Sequence, residues 1–121
     1  MNIKKKQNLM EITVITFDAY LMNNDSIIET CKDVEKMKIF NIENFTIYFE
    51  DDTRKTINCI EEAKILSKNK NIEKLCINTK DDVILSLYKK DNGFNIAYHQ
   101  NVNMKERINK LKTLKIKNYK F

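Results

Sequence analysis

One glycine, no proline, no tryptophan, one histidine, and two arginines against 20 lysines mark this 121-residue sequence by what it has little of. Each scarcity removes a class of chemistry. Glycine-rich phosphate cradles of the GxGxxG or Walker type need several glycines, so nucleotide chemistry of those kinds is excluded. A nucleophile elbow is excluded on the same ground, and no serine stands at an interpretable spacing from His99. Imidazole acid–base work would rest wholly on His99, which reads as a strand-end residue. Dedicated readers of phosphates or base edges favour arginine, whose planar fork binds bidentately, and there are two arginines to offer. No apolar run approaches the roughly 20 residues that span a bilayer. Lys4, Lys5 and Lys6 look like the start of a signal peptide, but Glu11 and Asp18 interrupt the apolar stretch that should follow. The expectation is a cytoplasmic protein without export or membrane insertion. Cys31, Cys59 and Cys76 are odd in number, show no zinc or redox spacing, and read as buried free thiols in a reducing compartment. No cofactor is indicated.

A length of 121 residues and 42% hydrophobic content fit a single globular domain over 1–121, with 1–9 as a flexible basic N-terminus. Lysine, asparagine and isoleucine together make up 53 residues. These are the residues of A- and T-rich codons, so part of the lysine excess is compositional. The net charge of +5 is unevenly placed: residues 99–121 carry +6, and residues 1–98 carry −1. The basic character belongs to a C-terminal segment, 103–121.

Glu11–Leu21 is apolar on both alternating faces and predicts a central strand. Ser26 with Glu29 three residues on predicts a capping box opening a helix, whose stripe is Ile27, Ile28, Cys31, Val34 and Met37. Phe45, Ile47 and Phe49 alternate with Thr46 and Tyr48 in a second strand. Glu50-Asp51-Asp52-Thr53 then supplies acids and a cap for a helix with Ile57, Ile60, Ala63 and Leu66 or Ser67 on one face. Leu75–Asn78 is a short third strand. Two alternating runs, Val83–Lys89 and Phe94–His99, flank Lys90-Asp91-Asn92-Gly93, and Asn92-Gly93 predicts a β-hairpin through a type I′ turn. Met104, Ile108 and Leu111 line a short basic helix, and Thr113–Tyr119 forms a possible last strand. The order β-α-β-α-β-β-β-α-(β) implies an α+β or small α/β fold. Its two helical crossovers predict parallel pairs within a single mixed sheet, with helices packed on it.

Two groups of side chains are candidates for function. Glu50, Asp51, Asp52 and Asp81 follow strands, where they could gather around a divalent cation, or serve as caps and turn residues. The basic segment, with Lys105, Arg107, Lys110, Lys112, Lys115, Lys117, Tyr119 and Lys120, is the partner-binding candidate. Its plainer reading is a solvated face whose lysines also discourage edge-to-edge pairing. In general character the chain is similar to strain-specific immunity proteins that neutralise secreted bacterial toxins, and to phage-encoded inhibitors of host defence. That likeness implies a toxin- or effector-binding protein rather than an enzyme. Immunity proteins against basic nucleases are often acidic and this chain is not, so its partner is either acidic or meets the near-neutral body. Nucleic-acid binding by the C-terminal segment is the alternative, and a metal-dependent enzyme with carboxylates at strand ends is the second.

Overall fold

Alternation along the longer strands leaves one apolar face to be covered, and three helices lie on that face. The computed structural model describes residues 10–16, 23–88, 93–99 and 104–114. They form β1 (Met10–Thr16), α1 (Asn24–Met37), β2 (Ile42–Phe49), β3 (Arg54–Ile57), α2 (Glu62–Leu66), β4 (Ile72–Thr79), β5 (Val83–Tyr88), β6 (Gly93–Tyr98) and α3 (Lys105–Leu111). The six strands make one sheet in the order β1-β6-β5-β4-β2-β3, and every neighbouring pair is antiparallel. The architecture is α+β.

The absence of parallel neighbours corrects the mixed sheet expected from two helical crossovers, and the reason is geometric. A helical crossover joins strands that run the same way, and both do so here. Alternating directions along the sheet make β1 and β2 co-directional, joined by α1, and β3 and β4 co-directional, joined through α2. Neither pair is adjacent, because β6, β5 and β4 separate the first and β2 separates the second. The crossover rule fixes direction and leaves adjacency to the hairpins.

Strand β3 occupies residues expected to begin a helix. Asp51 turns the chain first: its carboxylate accepts from the Thr53 amide at 3.0 Å and from the Thr53 hydroxyl. Asp52 takes a left-handed conformation, φ 69°, which Asp tolerates better than most residues. The turn closes with the Phe49 amide donating to the Thr53 carbonyl at 2.9 Å, so the acids make a hairpin rather than a helix cap. The anticipated apolar stripe survives in a different backbone: Ile57, Ile60, Ala63 and Ser67 are buried, although Ile57 is in a strand and Ile60 in a turn.

The cap of helix α1 lies three residues before the expected one. The Asn23 side chain accepts from the Ser26 amide at 2.8 Å, while the Ser26 hydroxyl accepts from the Asn23 amide at 2.7 Å. Ser26 is therefore the reciprocal partner inside a capping box whose cap is Asn23, a residue at least as good in that role. Asn24 ties this first turn to the loop before β4, donating to the carbonyls of Ser67 at 3.1 Å and Lys70 at 2.8 Å and accepting from the Ile72 amide at 2.9 Å. An isolated helix of this length is marginal in water. Burial decides the matter: Ile27, Ile28 and Val34 are at most 1% exposed, and each contributes roughly 1.5–3 kcal/mol. These side chains and Cys31 join a single cluster with Phe45, Ile47 and Phe49 of β2, Leu75 and Ile77 of β4, Val83, Leu85 and Leu87 of β5, Phe94 and Ile96 of β6, and Met104 and Leu111 around α3.

The hairpin between β5 and β6 pairs antiparallel from Val83↔Tyr98 to Tyr88↔Gly93. Residues 89–92 lie outside the described ones. Gly93 is a ladder residue rather than a left-handed turn residue, since its φ is not positive. Its missing side chain serves another purpose, because a Cβ there would overlap the carbonyl oxygen of Ile15 on β1. β1 bulges nearby, where its register with β6 shifts between Thr13 and Ile15. Gly93→Ala is expected to destabilise the protein by about 2 kcal/mol or more, read as a lower urea midpoint. An unchanged midpoint would show that β1 does not press on β6 at this point.

Candidate functional site

The carboxylates at strand ends do not meet. Phe49 pairs with Ile72 and Ile42 with Thr79, so Glu50–Asp52 and Asp81 lie at opposite ends of the β2–β4 ladder. Seven residue steps at about 3.4 Å separate those ends by roughly 24 Å. Among the described residues no three histidine, cysteine, aspartate or glutamate side chains come together as a metal site would require. Each acid has a local task instead. Thr79 and Asp81–Val83 form a tight turn in which the Thr79 hydroxyl accepts from the Asp81 and Val83 amides, both at 3.2 Å, with Asp82 left-handed at φ 60°. Asp51 is also 3.2 Å from the Lys70 ammonium. The bonds from Thr53, followed by Lys70, hold the Asp51 carboxyl below its usual range. A depressed carboxylate stabilises the fold above its ordinary pKa, and that contribution is lost as pH falls. Asp51→Asn should therefore cost stability near neutrality, with the gap to wild type closing below about pH 4 in a thermal-melt series. A gap independent of pH would remove the carboxylate from the account. Asp18 lies outside the described residues.

The basic segment is only partly placed. Lys105, Lys110 and Lys112 are exposed on or beside α3. Arg107 is committed to the fold, with its guanidinium 3.2 Å from Asp81 and 5.5 Å from the centroid of the Phe40 ring. Lys115, Lys117, Tyr119 and Lys120, and with them most of the last expected strand, lie outside the described residues. α3 belongs to the helical side of the sheet, since Met104 and Leu111 enter the core cluster.

The opposite face carries a surface that no sequence motif announced. Ladder pairs run across all six strands in one row: Thr56, Thr46, Cys76, Ser86, Asn95 and Thr13. Their polar groups bond along it, the Thr46 and Thr56 hydroxyls 3.4 Å apart, the Cys76 sulfur 3.5 Å from the Ser86 hydroxyl, and the Thr13 hydroxyl donating to Asn95. Toward one end of the strands runs a second row, Arg54, Tyr48, Lys74, Tyr88 and Gly93. The Lys74 ammonium lies 4.7 Å from the Tyr48 ring centroid and 5.4 Å from that of Tyr88, and the Tyr88 hydroxyl donates to Glu11 at 3.1 Å. On the other side of the central row, Asn78 donates to Asn44 at 2.7 Å and to the Thr46 hydroxyl at 2.9 Å. The signal was present in the sequence as Thr46/Tyr48, Cys76/Asn78 and Ser86/Tyr88, but only the register turns these alternations into rows.

Nucleophilic chemistry finds no support in the thiols. Burial pushes the Cys31 thiol well above its ordinary pKa, and burial also raises Cys76, partly offset by the Ser86 hydroxyl and Lys74. Both therefore stay protonated and inert at neutral pH. Cys59, expected to be buried, is exposed, because it falls in the turn after β3 rather than inside a helix. His99 directly follows β6, half-buried. In native protein at pH 8 one thiol, Cys59, should alkylate rapidly, with Cys31 and Cys76 reacting only on unfolding. Fast labelling of Cys76, read by peptide mass, would mean that the far face opens.

No protein-family model, no curated protein and no solved structure matches the chain. Among the described residues no helix is long and apolar enough to cross a membrane.

Proposed function

We propose that this protein is a binding module whose partner is another protein, an inhibitor or immunity-type protein that neutralises a toxin or effector by direct contact in the cytoplasm. The observation that supports this reading is the sheet face opposite the three helices. It is broad and hydrogen-bonded within itself, and one row bears two tyrosines and an arginine, residue types on which protein contacts concentrate their energy, with a lysine between the tyrosines. Among the described residues the acids and thiols stand apart from one another, and recognition needs no reacting centre.

Nucleic acid is the competing partner class, because Lys105, Lys110 and Lys112 are exposed together around α3. Arg107 counts against it, since its guanidinium is already held by Asp81 and Phe40. The two surfaces lie on opposite sides of the sheet, so mutations separate them. Co-expression with the product of the adjacent gene is the test. Rescue of growth from that product's toxicity, together with co-purification of the two chains, is the expected result. A chain that neither rescues nor co-purifies, or one retained on DNA or RNA with a steep salt dependence, overturns the reading.

A further inference from the structure

We infer that the row Arg54, Tyr48, Lys74 and Tyr88 is the centre of the partner contact, and that it takes an acidic protein surface whose carboxylates dock against Lys74 and Arg54. The inference rests on the protein-binding reading above and adds the surface and the chemistry of the partner. These four residues stand opposite one another on β3, β2, β4 and β5, so their positions are set by ladders rather than by loops. Lys74 is the key group. Three lysines meet carboxylates, Lys32 with Glu29 and Glu61, Lys64 with Glu29, and Lys70 with Asp51. Lys74 meets two aromatic rings instead, and neither it nor Arg54 has a carboxylate within 4 Å among the described residues. The rings restrict the ammonium without pairing it to a carboxylate, so a partner carboxylate gains a positioned donor at little further cost in side-chain entropy.

The charge pattern favours protein over nucleic acid. Stacked bases need bare ring faces, and here the ammonium of Lys74 lies over both rings. A phosphate backbone asks for a run of cations, whereas this face offers two and places Glu11 beside Tyr88. Size sets a further condition. Five interstrand spacings of about 4.8 Å by six residues of about 3.4 Å give a projected area of roughly 500 Å², against roughly 800 Å² per partner in a standard interface. The contact must therefore extend past the sheet face itself, beyond the short edge strand β3, whose Arg54 and Thr56 are exposed on this side.

The test uses the full chain labelled with ¹⁵N and two probes, a hexaglutamate peptide and a twelve-residue oligothymidylate. Saturable amide shifts with the peptide are expected at Arg54, Tyr48, Lys74 and Tyr88. Lys74→Gln should weaken that binding up to about fivefold, and Arg54→Gln, on the exposed edge strand, should weaken it without disturbing the fold. Lys110→Gln with Lys112→Gln should leave it unchanged. Peptide shifts confined to α3, no shifts at all, or tighter binding of the oligonucleotide on the sheet face would each overturn the inference. If the adjacent gene product still co-purifies with an Arg54→Gln/Lys74→Gln variant as it does with wild type, the inference fails and the protein-binding reading stands. Loss of co-purification with wild type itself would remove that reading, while the peptide result still decides whether the face reads carboxylates.

Discussion

Strand register is the constraint on which this molecule depends. With three helices drawing on one core cluster, the sheet has one covered face, and the other must satisfy its own polar groups. Thr46, Cys76, Ser86 and Asn95 do so only because five ladders hold them in line with Thr56 and Thr13. A one-residue slip in any ladder exchanges the faces of a strand, sending Leu85 or Ile77 outward and Ser86 or Cys76 into the apolar cluster. Burying a hydroxyl without a partner costs on the order of 1–3 kcal/mol, and exposing an isoleucine or leucine forfeits a similar amount. The two penalties act together, so the native register is favoured from both sides of the sheet.

The same constraint explains which parts of the fold were legible in the sequence. The alternations of β2, β5 and β6 and the apolar stripe of α1 were readable because each is a local pattern with a single period. β3 was not. Arg54, Lys55 and Thr56 are all exposed, so the strand lacks the alternation that would mark it, and the preceding acids suit a helix start as well as a hairpin turn. Without β3, α2 would connect β2 directly to β4, and the predicted sheet becomes partly parallel. The glycine misled for a related reason: Asn92-Gly93 signals a hairpin, and a hairpin is there, yet the need for glycine comes from the Ile15 carbonyl on β1, a contact 78 positions away in the chain.

Functional residues were harder to see than the fold. The C-terminal segment stands out in the sequence because charge can be counted without knowing where it sits. The structure spends Arg107 on Asp81 and Phe40, leaving a short helix with lysines on its outer side. The open face has the opposite character. Its net charge is small and its residues are scattered from Glu11 to Ala97, so no window of sequence contains it.

That distribution bears on how such a surface can change. Residues on the open face do not support the core cluster, so Tyr48, Lys74 and Tyr88 can be exchanged with less effect on packing than Phe45, Leu75 or Leu87 one position away. The backbone ladders and the core face set the register, and the outward positions inherit it. A protein that must follow a changing partner benefits from that division, because specificity is altered by substitutions at places fixed in space by other residues. The central row of small hydroxyl, thiol and amide groups sets the limit to such change. Its members bond to one another across the strands, so a substitution at Thr46, Ser86 or Asn95 strips a neighbour of its partner, and change costs less in the rows on either side.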